Sequence, residues 1–372
     1  MLDFAFTDEH EELRQTVRKF LENKSPEQVV RRLMDTEQGY DPQVWTQMAE
    51  QMALQGLIVP EQYGGAGFGP VEQAIVLEEM GRMLLCAPYL SSAVLATNVL
   101  LHAANEEAKS EFLPGIASGQ TVATLAFVDE GGGWEPKDVA LHAAGGGDAC
   151  RLTGVKTYVL DGHVADVLLV AARAGDALSL FRVEPEAPGL TRALLPTLDL
   201  TRKLARLELS DTPATRIGAA GDLEPALRRA LALTVTALAA EQAGGTQRCL
   251  EMSTEYAKTR LQFGRPIGSF QAIKHRCADM LVEVEFAKSA AYHAAFSATR
   301  EDDELLAAAS LAKSYCSDAY FHAAAETIQI HGGMGFTWEH PAHLYFKRAK
   351  SSAVLFGDAT HHREQLADCI GV

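Results

Sequence analysis

Positive charge is scarce in this chain: 33 Lys and Arg stand against 49 Asp and Glu, a formal net charge of −16. An acidic chain of this kind is a poor match for a nucleic-acid backbone or an anionic membrane, and neither is expected as a partner. Cysteine is sparse as well. The six present (Cys86, Cys150, Cys249, Cys277, Cys316, Cys369) are widely spaced, with no C-x-x-C pair. That excludes a disulfide framework and a zinc site, leaves no expected metal, and fits a reducing cytoplasm. No uncharged apolar run reaches the length of a membrane span. Met1-Leu2-Asp3-Phe4 runs straight into a charged helical pattern, so no signal peptide is expected. G-x-G-x-x-G between a strand and a helix is also missing, which argues against a Rossmann-type nicotinamide site. What the chain does have is 372 residues, 47% of them apolar, enough for two or three domains with real cores.

Three blocks differ in pattern. Residues 1–119 read as an N-terminal helical domain. Thr7 is a good N-cap followed by Asp8 and Glu9, and Leu13, Val17, Phe20 and Leu21 form one apolar face. Pro70 opens a further helix. Between them, Val59 to Gly67 is a glycine-rich turn without the Lys-Ser/Thr of a P-loop, so a helix–helix turn is expected. Residues 120–222 read as a middle antiparallel β-barrel or sandwich, from short runs at 122–128, 150–153, 155–160, 166–171, 178–183 and 204–209. Residues 223–372 read as a C-terminal four-helix bundle. Its helices are expected at about 225–262, 271–299, 303–330 and 362–370, with Gly332-Gly333 ending the third. The fold class is thus a multi-domain α+β protein.

Two C-terminal motifs are the most specific. One is Arg260-Leu261-Gln262-Phe263-Gly264 followed by Pro266-Ile267-Gly268 and Phe270-Gln271; the other is Gln329-Ile330-His331-Gly332-Gly333-Met334-Gly335-Phe336. A pyrophosphate needs a cation or free backbone N–H groups. Arg260 supplies a forked cation, the glycines permit close backbone approach, and Phe263 offers an apolar face to an aromatic ring. Taken alone, Arg260 reads rather as a solvated charge at a helix C-terminus. Together with Pro60-Glu61-Gln62-Tyr63-Gly64-Gly65, these motifs make nearly the whole chain resemble the acyl-CoA dehydrogenase family.

That resemblance implies FAD as cofactor, an acyl-CoA thioester as substrate and an electron-transfer flavoprotein as electron acceptor. It implies that Arg260, Phe263, Gln271, Gln329, Gly332 and Gly333 meet FAD across a subunit interface. It also implies a carboxylate base for the α-proton and hydrogen bonds to the thioester carbonyl. Family members are usually tetramers.

The chain departs from the family pattern at the base. The resemblance places one usual base position at Phe356, in Leu355-Phe356-Gly357-Asp358, and the other at Thr234; neither residue can serve. Glu241 interrupts the apolar run 231–240, seven residues beyond Thr234 and about 10 Å further along the same helix face. It is the first candidate base, or else the structural partner of an arginine or an exposed position where the helix emerges. Asp358 is the second candidate, or a helix cap. In the middle block, the loop from Asp129-Glu130-Gly131-Gly132-Gly133-Trp134 lacks the family's Ser-Asp ending, and Tyr158-Val159-Leu160 stands for a Trp-x-Thr element. The backbone at Val128 and the ring of Tyr158 are the counterparts of the family's flavin contacts.

These losses are similar to those of a bacterial branch acting on bulky sterol-type or polycyclic acyl-CoA thioesters, some of whose members are heteromers of two related subunits. The expected activity is α,β-dehydrogenation, with a non-catalytic partner subunit as the alternative. Alanines 287, 290, 291, 294 and 295 leave room for a large acyl group or serve close helix packing.

Overall fold

A computed structural model describes residues 6–145, 147–219, 221–300 and 304–372. The signal-peptide expectation at residues 1–4 and the proposed helix start at Asp303 lie outside the described residues. The chain opens with α1 (Asp8–Lys24), α2 (Glu27–Met34), α3 (Pro42–Met52) and α4 (Pro70–Arg82). A π-helical segment, Tyr89–Ala96, leads into α5 (Thr97–Ala103) and α6 (Glu106–Ala117). The strands are β1 (Ala123–Ala126), β2 (Ala143–Gly145), β3 (Ala149–Leu160), β4 (Val167–Ala174), β5 (Ala177–Val183), β6 (Leu190–Leu194) and β7 (Leu204–Arg216). Then follow α7 (Glu224–Thr259), the short pair β8 (Leu261–Gln262) and β9 (Arg265–Pro266), α8 (Gln271–Ser297), α9 (Glu304–His331), α10 (Ala342–Val354) and α11 (Ala359–Ile370). Among the described residues no helix is long and apolar enough to cross a membrane.

By contacts the chain forms two compact units. One comprises residues 1–31, 70–85 and 235–372; the other comprises 32–69 and 86–234.

In the first unit α9 runs against α8, α10 and α11 in a helical bundle, and α10 is a helix that the sequence pattern did not lead us to expect. Small residues set the spacing. A Cβ on Gly244 would lie 1.8 Å from the Glu78 carbonyl oxygen, and one on Gly81 would lie 2.0 Å from that of Glu241. The helices α4 and α7 therefore cross backbone to backbone, and only glycine fits there. Ala287, Ala291, Ala294 and Ala295 are fully buried on α8 and Ala290 is half-buried, which suits close packing, one of the two roles expected for them. Several charges enter this core as pairs, as burial favours. On α1, Arg14 meets Glu78 at 2.5 Å, while Arg18 grips Glu79 at 2.9 and 2.7 Å. Tyr292 on α8 donates to Glu78 at 2.6 Å. The Thr7 cap forms as expected: its hydroxyl accepts from the His10 N–H, and the His10 ring accepts from the Thr7 N–H.

The second unit carries the sheet, in the order β1-β4-β5-β7-β3-β2 with β6 beside β7. It is sandwich-like and mixed, not a closed antiparallel barrel. The departure is β1, which pairs parallel to β4 from Ala123↔Val167 to Ala126↔Val170. A parallel pair needs a long crossover, and the two strands β2 and β3 intervene. The runs expected at 150–153 and 155–160 are one strand, β3, whose register against β7 shifts between Leu152 and Gly154. The glycine turn after Val59 is the helix–helix connection expected: Gly64 and Gly67 have φ of 82° and 68°, and a Cβ on Gly65 would strike the Val59 carbonyl.

Candidate functional site

At the C-terminal end of α7 the chain reverses in a two-residue hairpin, pairing Gln262 with Arg265. Its central residues Phe263 and Gly264 both have positive φ, 52° and 77°, as a tight twisted hairpin requires. Glycine adopts this freely; phenylalanine does so at a cost of about 1–2 kcal/mol. Phe263 is nevertheless 91% exposed. A large apolar side chain held strained in water marks a surface that something covers. Arg260 is also exposed, and among the described residues it pairs with no carboxylate.

The second motif lies beside the first. Tyr256, near the end of α7, stacks on His331, the last residue of α9, with centroids 4.3 Å apart. Beyond His331, Gly332 turns the chain with φ 58° into a 3-10 segment, Gly332–Phe336. Gln271, Gln329, Gly332 and Gly333 are all exposed, and Phe336 is 85% exposed. The structure thus gathers six sequence candidates at one end of the bundle, facing outward. That arrangement fits residues that reach a nucleotide lying mainly on another chain. Gly335 differs: a Cβ there would lie 2.7 Å from the Ile328 carbonyl, so it serves packing.

The remaining two cofactor candidates belong to the second unit, where Tyr158 is 49% exposed. Val128 is buried, and its carbonyl already accepts from the Thr157 N–H at 2.9 Å. Tyr158 has φ 54°, and its ring is stacked by Trp134.

The candidate bases are structurally engaged. Glu241 is 5% exposed, and Arg348 on α10 donates to it at 2.8 Å. This is the arginine partnership foreseen as the alternative. Asp358 is the N-cap of α11, accepting from the His361 N–H at 2.9 Å, and that bond holds its carboxyl below the usual range. Thr234 spends its hydroxyl on the Ala230 carbonyl of its own helix. Phe356 is buried with φ 61°.

Sequence reasoning missed what secures the turn at Phe356. Lys313 of α9 is fully buried and donates to the carbonyls of Ala353 and Gly357, both at 3.0 Å, and to Ser317 at 3.1 Å. His362 donates from Nε2 to the Phe356 carbonyl at 3.0 Å. Burial pushes its imidazole down to about 3, so it is neutral, with its proton on Nε2 toward that carbonyl. A lone lysine within the alanine-rich stretch 305–324 was the available signal.

The helical block, mixed sheet and helical bundle, with the outward motifs at one bundle end, define a protein of the acyl-CoA dehydrogenase class of flavoproteins. Family models agree: residues 7–120 match the acyl-CoA dehydrogenase N-terminal domain and 225–371 the C-terminal domain. The chain is 35% identical over 363 residues to acyl-CoA dehydrogenase IpdE2 of Mycolicibacterium smegmatis, covering 97% of each. Among solved structures it resembles the ChsE4–ChsE5 complex from Mycobacterium tuberculosis, with TM-score 0.90, 31% identity and coverage of 100% of this chain and 99% of that one. It also resembles a variant of the Tcur3481–Tcur3483 steroid ACAD, with TM-score 0.88, 32% identity and 98% coverage of both chains. The chain belongs to the acyl-CoA dehydrogenase family.

Proposed function

We propose that this chain is one subunit of a heteromeric acyl-CoA dehydrogenase for bulky sterol-type acyl-CoA thioesters, completing an FAD site on a related subunit rather than supplying the base. The observation that carries this reading is the state of the candidate bases: Glu241 is held by Arg348, while Phe356 and Thr234 occupy the two positions the family uses. A carboxylate clamped in a buried ion pair cannot turn to a substrate's α-carbon without stranding the arginine.

FAD supplies the hydride acceptor of the dehydrogenation. The chain's own share is to place Arg260 beside the pyrophosphate, to offer Phe263 and Gln271 to the flavin and to line the nucleotide with Gln329, Gly332 and Gly333. Electrons then pass to an electron-transfer flavoprotein. The outward exposure of these residues supports the cross-subunit role. The paired-chain complexes among the structural neighbours, one of them a steroid ACAD, support the heteromer and the substrate class. The assembly is a tetramer, and six cysteines outside any disulfide among the described residues support a cytoplasmic setting. The division into domains 1–119, 120–222 and 223–372 is supported by family models that end at 120 and resume at 225.

Turnover of a sterol-type CoA thioester, followed with an artificial electron acceptor, tests the reading. The chain alone is expected to be inactive, and active once mixed with a related acyl-CoA dehydrogenase subunit. Turnover by the chain alone, lost on Glu241→Gln with flavin retained, would make Glu241 the base and overturn it.

A further inference from the structure

Residues 332–339 leave the helical bundle at the end of α9 and return to it at the start of α10, and a ring holds each end of the excursion. His331, before the turn, is buried, and its Nδ1–H donates to the Thr327 carbonyl at 2.7 Å. His340, after the turn, uses Nδ1 to accept from the Ala342 N–H at 3.2 Å. The two imidazoles meet with centroids 4.2 Å apart and planes at 45°. His331 also stacks on Tyr256, with planes 28° apart. Tyr256 reaches the other outward motif, because its carbonyl accepts from the Arg260 N–H at 2.8 Å. One chain of contacts thus runs from Arg260 through Tyr256 and His331 to His340, and it joins both ends of the Gly332–Gly333 turn to the end of α7.

Within the turn the bonds are local. The Thr337 N–H and hydroxyl both donate to the Met334 carbonyl, at 3.0 and 2.8 Å. Such bonds shape the turn without setting its distance from Arg260. Backbone donors and a cation grip one anion well when their spacing is fixed beforehand, since ordering a loop at the moment of binding costs affinity. We propose that the Tyr256–His331–His340 stack is a positioning device that holds the glycine turn at a set distance from Arg260, so that both act on one diphosphate. This rests on the reading that Arg260, Gly332 and Gly333 meet the FAD pyrophosphate. The three rings are positioning residues and act through the turn.

The stack needs uncharged imidazoles. Burial holds that of His331 below its usual range and takes that of His340 down to about 4. A proton on His340 Nδ1 would remove the lone pair that accepts from Ala342 and set a cation beside His331. Facing it are His343 on α10 and, on α2, Glu27 and Arg31, which are already paired with each other at 2.7 Å. The added charge therefore finds little compensation, and acid should open the turn.

FAD dissociation constants of the chain assembled with a related acyl-CoA dehydrogenase subunit test the device. His340→Ala is expected to weaken FAD binding by at least about tenfold, the cost of ordering a loosened turn. His340→Phe, which keeps a ring against His331, should restore most of it and should hold FAD to lower pH than wild type does. His340→Ala combined with Arg260→Ala should lose less than the product of the two single losses. On the chain alone, without FAD, chymotrypsin should cut at Phe336 and Trp338 faster in His340→Ala than in wild type or His340→Phe. Equal losses in the alanine and phenylalanine variants, or strictly multiplicative losses in the double variant, would overturn the device. A loss in Arg260→Ala with none in His340→Ala would overturn it and leave the cofactor reading standing. Undiminished binding in both would overturn that reading as well.

Discussion

Arg348 of α10 and Glu241 of α7 form an ion pair at 2.8 Å with side chains only 5% and 7% exposed. The pair ties together two helices of the bundle at the level where Gly81 lets α4 approach the Glu241 backbone. A base of this kind would need to give up its cation at each turnover, so the pair reads as a clamp. Breaking one side of such a pair strands the other charge. Arg348→Met should therefore destabilise the chain by about 3–5 kcal/mol, and pairing it with Glu241→Leu should recover much of the loss. Denaturant melts of the wild type and these two variants check this; full stability in Arg348→Met would show that the pair is not a clamp.

Arg260 calls for the opposite outcome. It is exposed and pairs with no carboxylate among the described residues, so Arg260→Ala should shift chain stability by no more than about 0.5 kcal/mol. Loss of a charge-assisted contact to phosphate should still lower FAD affinity of the assembled enzyme by about tenfold or more. Flavin retention after gel filtration reads this directly, and undiminished retention would remove Arg260 from the cofactor site.

Lys313 secures the turn that carries Phe356. Lys313→Met keeps the aliphatic stem but leaves the carbonyls of Ala353 and Gly357 without this donor. The expected cost is about 1–3 kcal/mol for each carbonyl left unsatisfied. Proteolysis should find new cleavage near 353–358 if the turn loosens; an unaltered digest and melt would show that the turn holds itself.

His362 gives the fold a pH dependence with a defined sign. Its pKa falls from an ordinary value near 6.5 to about 3 on folding, because burial disfavours the imidazolium. His340 moves the same way, to about 4. The unfolded chain thus binds protons that the folded chain refuses. The stability held above pH 6.5 is lost as pH falls from there toward 3, at about 1.4 kcal/mol per pH unit per proton. In urea melts from pH 7 to 4, His362→Gln should flatten this slope by about one proton. An identical slope would mean that His362 does not stay neutral.

Much of the fold was legible because its signals are local. Thr7 and Pro70 mark helix starts, and Gly332 and Gly333 mark the end of α9. What the sequence could not show was pairing. The parallel match of β1 with β4, and the joining of two strand runs into β3, depend on partners distant along the chain. The candidate site divides in the same way. The outward set from Arg260 to Gly333 was readable as motifs. The engagement of Glu241 by Arg348 joins positions 107 residues apart, and periodicity alone carries no trace of it. Trp134 was visible as a departure from the family loop, but its contact with Tyr158 was not.

The central claim is that this chain completes a neighbour's FAD site without holding a flavin itself. The visible absorption spectrum of the full chain, purified alone and then assembled with a related acyl-CoA dehydrogenase subunit, tests it most directly. The account predicts a folded chain with almost no flavin, and about one FAD for every two chains after assembly. About one FAD per chain in the protein purified alone, bleached by a sterol-type acyl-CoA, would contradict it.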